Sequence, residues 1–156
     1  MRSSGTDREK IASRKIRVLV AVEPLPLLRV IEHLLAGAPE IQIISSPHGV
    51  PTLVLQTKRL QPDLIIANAR LLGEGACEVL INIKRSSPRS KLILTDFDSG
   101  LAGLADDCGV DVYLDEEALV RRLVLAARKL AAPRRSSRKL KGRMQTSYRI
   151  RSGRPA

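Results

Sequence analysis

Residues 62–71 read PDLIIANARL, a short apolar run that leads from Pro62 to a polar tip at Asn68. The stretch DLIIA (63–67), which is apolar after its first residue, is typical of a strand that is covered on both faces. It is also the most continuously apolar run in its surroundings, which predicts a central strand. Asn68 follows directly, where the carboxyl end of such a strand would display it.

Apolar runs alternate with helical patterns on both sides of this strand. Strands are predicted at 16–22, 40–45, 63–67, 91–95 and 110–114, and helices at 26–36, 49–60, 74–85, 100–107 and 116–131. The polar and apolar alternation of EIQIIS (40–45) favours a position nearer the edge of the sheet. Parallel strands need crossover connections. The order therefore predicts a three-layer α/β fold, a doubly wound five-stranded parallel sheet with helices on both faces.

Charge divides the chain of 156 residues into three parts. Residues 1–15 carry five basic and two acidic side chains, 16–132 carry thirteen and fourteen, and 133–156 carry nine and none. The net charge of +11 thus resides at the ends. We expect a flexible basic arm, one domain at 16–132 with its own core, and a basic tail that is largely disordered.

Several classes of protein are disfavoured by the sequence. The apolar runs fall far short of the about 20 residues that cross a bilayer, and the first residues lack the apolar stretch of a secretory signal. We therefore expect a cytoplasmic protein without membrane contact. GEGACE (73–78) has Glu78 where a dinucleotide-binding fingerprint has its third glycine, and no phosphate-binding P-loop motif occurs.

Cysteine and histidine are sparse. Cys77 and Cys108 are too few and too poorly patterned for a disulfide framework or a zinc site, and we expect two small buried or half-buried residues. His33 and His48 are isolated, and His33 lies on the polar side of a predicted helix. The sequence thus predicts no metal site and no cofactor.

In the order of its predicted strands and helices, the chain resembles the receiver domain of bacterial two-component response regulators. These domains have the CheY-like or flavodoxin-like (βα)5 fold. The resemblance covers about residues 16–131. It depends on PDLIIANARL (62–71), on SPRSKLILT (87–95), and on GVDVYLDEEAL (109–119), which is similar to the family's Gly-x-x-x-Tyr segment before the last helix.

The resemblance implies a set of site positions. A typical receiver accepts a phosphoryl group on an aspartate at the end of strand three, and this position holds Asn68. The acidic pair that helps bind Mg²⁺ becomes Val22 and Glu23. The Thr position is Thr95 and the aromatic switch position is Tyr113.

The lysine position of the family reads Glu116, or Asp115 if the loop shifts by one residue. The neutral amide of Asn68 is not a usable nucleophile, and Glu23 alone is a thin shell for Mg²⁺. A carboxylate in place of the lysine would repel a phosphate. The resemblance therefore implies a degenerate receiver that does not catalyse phosphotransfer.

The same residues also fit purely structural roles. Asn68 suits the end of a strand or a turn, and Asp115, Glu116 and Glu117 suit the first turn of a helix. Thr95 and Tyr113 are either switch residues or ordinary strand residues.

Two functions follow. The first is a non-enzymatic signalling module, independent of phosphorylation, that acts through contacts with proteins of a bacterial pathway. The resemblance implies a contact surface of strand four, residues 99–108, strand five and the last helix, and a homodimer through strands four and five and the last helix. The sequence does not distinguish this module from a regulator that has lost its output domain. The alternative is a nucleic-acid-associated protein whose tail binds polyanions. The tail's basic residues are Arg134, Arg135, Arg138, Lys139, Lys141, Arg143, Arg149, Arg151 and Arg154.

Overall fold

The computed structural model describes residues 14–96, 103 and 105–131. The strands within this part are β1 (Ile16–Ala21), β2 (Ile41–Ser45), β3 (Leu64–Asn68), β4 (Lys91–Thr95) and β5 (Val112–Leu114). The helices there are α1 (Leu25–Ala36), α2 (Val50–Leu60), α3 (Ala69–Leu72), α4 (Ala76–Ser86) and α5 (Glu116–Leu130). The basic tail, nearly all of the basic arm and half of the predicted 100–107 helix lie outside the described residues. The prediction of a helix is wrong for residues 103 and 105–107, which form turns.

The described strands form one parallel sheet in the order β2-β1-β3-β4-β5. The predictions of a central 63–67 strand and an edge 40–45 strand are confirmed. Side chains of β3 alternate between two buried layers, since successive residues of a strand point to opposite faces. Leu64 and Ile66 pack with α1 and α5, and Ile65 packs with α2 and α4. The predicted α/β architecture is thus observed.

Polar bonds fasten the amino-terminal edge of the sheet. The Arg17 guanidinium donates to the carbonyl oxygens of Leu60, at 2.7 Å, and Gln61, at 3.0 Å. Asp111 accepts from the Lys84 ammonium at 3.1 Å and from the backbone N–H of Leu92 at 2.8 Å. These bonds connect helices to strands at the edge opposite the one where α/β folds bind ligands.

Two details differ from the sequence prediction. The predicted 74–85 helix begins only at Ala76, because Gly73 and Gly75 adopt positive φ angles of 70° and 75° that end α3 and delay α4. The fifth strand is shorter than predicted, since Val110 still belongs to a turn in which its N–H donates to the carbonyl of Ala105 at 3.0 Å. Among the described helices, none has the length and apolar character to span a membrane.

The expectation of two unbonded cysteines is wrong. Cys77 and Cys108 form a disulfide between the first turn of α4 and the segment before β5, with Cα atoms 4.9 Å apart. The fold brings together two residues that are 31 positions apart in the chain. Their expected burial is confirmed, since Cys108 is buried and Cys77 is half-buried.

Candidate functional site

The carboxyl edge of the sheet brings most of the predicted site residues together. Asn68 ends β3 and is the register partner of Thr95, which ends β4, and Thr95 in turn is aligned with Leu114 of β5. Glu23 follows β1, the strand that neighbours β3 on its other side. The crevice at these strand ends is the usual ligand-binding position of open α/β sheets.

Asn68 is held by three hydrogen bonds. Its Oδ1 accepts from the backbone N–H groups of Glu23, at 3.2 Å, and Leu71, at 3.1 Å. Its Nδ2 donates to the carbonyl oxygen of Glu23 at 2.6 Å. The side chain is 6% exposed, so these bonds replace bonds to water. The amide therefore joins the loop after β1 to the start of α3.

This arrangement requires a carboxamide. The backbone N–H of Glu23 donates to one polar atom of the Asn68 side chain, and the backbone carbonyl of Glu23 accepts from the other. The side chain at position 68 must therefore both accept and donate. An ionised aspartate has acceptors only. Such a residue at position 68 would place a carboxylate oxygen against the Glu23 carbonyl. The expectation that Asn68 suits a turn is confirmed, because it caps α3 through Leu71.

A groove of about 310 Å³ lies beside this amide. Its lining consists of Val22, Glu23, Pro24, Leu25, Leu28, His48 and Arg70. Glu23 contributes the only carboxylate among these residues, and Arg70 and His48 contribute exposed nitrogen groups. Neither Arg70 nor His48 was predicted as a site residue. The one available signal was that both residues follow the carboxyl end of a predicted strand.

The residues present do not fit a receiver's Mg²⁺. Mg²⁺ requires several oxygen ligands in near-octahedral geometry. The amide oxygen of Asn68 already accepts two hydrogen bonds, and Val22 offers no side-chain oxygen where the family has an acid. Across residues 14–96, 103 and 105–131, no group of three or more His, Cys, Asp and Glu side chains could hold a metal ion.

The two predicted switch residues are both buried. Thr95 is fully buried, and within the described residues its Oγ1 has no hydrogen-bond partner. Tyr113 is 7% exposed, and its hydroxyl donates to the backbone carbonyl of Asp96 at 3.3 Å. Since Asp96 directly follows Thr95, the phenol reaches across from β5 to the end of β4.

The acids before α5 have a structural role. The Asp115 carboxylate accepts from the backbone N–H of Ala118 at 2.8 Å and caps the helix, while Glu116 and Glu117 are exposed in its first turn. Acidic side chains at this end stabilise a helix through its dipole. The predicted capping role of Asp115 is confirmed. The predicted polyanion-binding residues of the tail lie outside the described residues.

Solved structures with a similar fold include receiver domains of response regulators. The response regulator domain of CheB from Thermotoga maritima aligns over 78% of this chain and 100% of its own, with a TM-score of 0.68 and 16% identity. The receiver (REC) domain of RcsB from Salmonella enterica, in the presence of phosphomimetic BeF3⁻, aligns over 83% of this chain and 98% of its own, with a TM-score of 0.67 and 16% identity.

The chain has the response-regulator receiver fold. A similar structure is a putative pilus assembly-related protein from Burkholderia pseudomallei, which aligns over 77% of this chain and 92% of its own, with a TM-score of 0.66 and 22% identity. No family profile matches the sequence. No curated protein matches it either.

Proposed function

We propose that this receiver-like module signals through protein contacts and accepts no phosphoryl group. The observation that carries the proposal is the Asn68 amide, which is bonded to both the N–H and the carbonyl of Glu23. In a receiver, the acceptor carboxylate must be free to bind metal and attack a phosphodonor. Here the corresponding side chain is a neutral amide engaged on both of its polar atoms.

The buried switch residues support the same proposal. The Tyr113 hydroxyl donates to the Asp96 carbonyl at 3.3 Å, and Thr95 is fully buried. Burial of both side chains favours a packing role at the ends of β4 and β5 over a response to a phosphoryl group. We therefore propose Glu23, Asn68, Thr95 and Glu116 as the degenerate site positions and Tyr113 as the retained switch aromatic.

An amide NMR spectrum with and without Mg²⁺ plus beryllofluoride tests this proposal. Beryllofluoride stands in for an acyl phosphate at receiver sites. We expect the resonances near Asn68 to remain unchanged, while the RcsB receiver under the same conditions supplies the positive control. Shifts that spread from Asn68 through Thr95 to Tyr113 would show that the crevice still responds to phosphate-like ligands and would contradict the proposal.

For the contact surface we propose β4, β5, residues 99–108 and α5, with a second copy of the chain as one partner. On α5, Val120 is 58% and Leu125 is 51% exposed, which is costly for apolar side chains in water. Val120→Glu and Leu125→Glu should weaken self-association in sedimentation velocity runs over a range of concentrations. Leu55→Glu is the matched control, since Leu55 is 51% exposed on α2. A monomer at every concentration would refute the homodimer.

A second candidate function is nucleic-acid binding by residues 133–156. The sequence favours it, because these 24 residues carry nine basic and no acidic side chains. Basic segments bind duplex DNA with release of counterions, so log K should fall with log salt at about −0.9 per phosphate contacted. Deletion of 133–156 should abolish the binding. Absence of binding by the full chain at low salt would exclude this function.

A further inference from the structure

We propose that Cys77 and Cys108 are a reversible dithiol–disulfide pair that responds to hydroperoxides and, when oxidised, fastens the 105–110 turn to α4. The 105–110 turn is the segment Ala105–Val110 that precedes β5. The two residues are the only cysteines of the chain, so a single intramolecular pairing exists. Their Cα separation of 4.9 Å lies within the usual range for disulfides.

The two sulfur atoms have different surroundings. Cys77 is half-buried and is the second residue of α4, an 11-residue helix whose amino-terminal dipole favours a thiolate. Cys108 is 1% exposed. Oxidants therefore reach Cys77 first, and Cys108 lies beside it to complete the disulfide. Such a pairing of an accessible cysteine with a buried partner is typical of redox-responsive sites.

The chemistry balances with a hydroperoxide as the oxidant. The Cys77 thiolate attacks the outer oxygen of the hydroperoxide, the O–O bond breaks and Cys77 becomes a sulfenic acid, while the leaving alkoxide takes up a proton and departs as an alcohol. The Cys108 thiol then attacks the sulfenic sulfur, forms the S–S bond and releases water. In total the two cysteines lose two protons and two electrons, which reduce the hydroperoxide to an alcohol and water. An external dithiol reverses the change by attack on the half-buried Cys77 sulfur.

The disulfide acts on a defined segment. The 105–110 turn is closed by hydrogen bonds from the N–H groups of Cys108 and Val110 to the carbonyl of Ala105, at 3.2 Å and 3.0 Å. Immediately after the turn, the Lys84 ammonium of α4 holds Asp111 at 3.1 Å. Reduction removes the covalent attachment of the turn but leaves this ion pair. We therefore expect loosening of the turn while β4 and β5 stay paired.

Mass spectrometry of the folded full-length chain tests the redox step. The disulfide should be reduced by dithiothreitol under native conditions and restored by hydrogen peroxide. In the Cys108→Ser variant, peroxide should leave a sulfenic acid on Cys77 that dimedone traps, about tenfold faster than Cys108 is trapped in Cys77→Ser. A disulfide that yields to dithiothreitol only after unfolding, or equal trapping in the two folded variants, would overturn the proposal.

Hydrogen exchange of the oxidised and reduced wild-type chain tests the structural effect without any variant. The amides of Cys108, Gly109 and Val110 should exchange about tenfold or more faster after reduction, since their turn loses its attachment to α4. The amide of Leu92, which donates to Asp111, is the internal control and should stay protected. Equal protection of the turn in both redox states would show that the disulfide does not fasten it.

Discussion

Replacement of Asn68 by aspartate restores the residue type that receivers phosphorylate, and we expect it to destabilise this protein. Asn68→Asp exchanges the Nδ2 donor for an acceptor and keeps the rest of the side chain nearly the same in shape. The lost bond is the one to the Glu23 carbonyl at 2.6 Å, inside a site where the side chain is 6% exposed. The Glu23 carbonyl is then left facing a carboxylate.

The magnitude follows from the unsatisfied group. A buried acceptor without a donor costs about 1–3 kcal/mol, and the like polarity of the two oxygens adds to this cost. With urea slopes of about 1–3 kcal/mol per molar, the unfolding midpoint should fall by about 1 M. Asn68→Ala, which removes all three bonds of the amide, should cost more than Asn68→Asp, because it also orphans the N–H groups of Glu23 and Leu71.

Urea unfolding of the three proteins, followed by circular dichroism at neutral pH, measures these differences. The slopes must agree between variants for the midpoints to report stability. If Asn68→Asp equals or exceeds the wild type in stability, the amide is not a structural tie at the crevice. The site would then still accommodate a carboxylate, and the reasoning from the hydrogen bonds of Asn68 would be refuted.

Three further predictions concern bonds away from the crevice. Lys84→Met leaves the largely buried carboxylate of Asp111 without its ammonium partner and should lower the free energy of unfolding by about 2–3 kcal/mol in urea titrations; an unchanged midpoint would contradict this. Reduction of the disulfide, which closes a separation of 31 residues, should cost about 3–4 kcal/mol on the chain-entropy estimate, measurable by unfolding with and without dithiothreitol. Finally, the hydrogen bond from Arg128 lowers the pKa of Glu40, so this pair stabilises the fold above the unfolded pKa of about 4.3 and the effect is lost as pH falls through the lower folded value. Glu40→Gln should therefore lower the melting temperature slightly at pH 7, and the difference from the wild type should shrink as the pH falls below about 4.3.

The sheet could be predicted because its strands are continuous apolar runs bounded by polar breaks. The run at 63–67 could only be central, since a strand with Leu64, Ile65 and Ile66 must be covered on both faces. The crevice residues followed from the resemblance, which aligned Asn68 and Thr95 with known positions. Both kinds of signal come from residues that are close together in the sequence, and such local patterns can be recognised in one sequence alone.

What could not be predicted depends on distant pairs. The bonds between Asn68 and Glu23 span 45 positions, and the sulfur bond spans 31. Neither pairing has a spacing signature, because each depends on how helices and loops pack around the sheet. The short helix α3 was missed for a different reason, since four residues cannot display a helical period.

The closed ring of hydrogen bonds between Asn68 and the Glu23 peptide has a consequence for how this module could be controlled. A ligand site is filled in proportion to the concentration of its ligand, and its state can be titrated. The Asn68 side chain is bonded to the backbone of another residue in the same chain. Its bonding therefore does not depend on the concentration of any ligand. On the proposed function, the strength of the signal then depends on no phosphodonor and is set by the number of copies of the chain, by competition among its partners and by the redox state of Cys77 and Cys108.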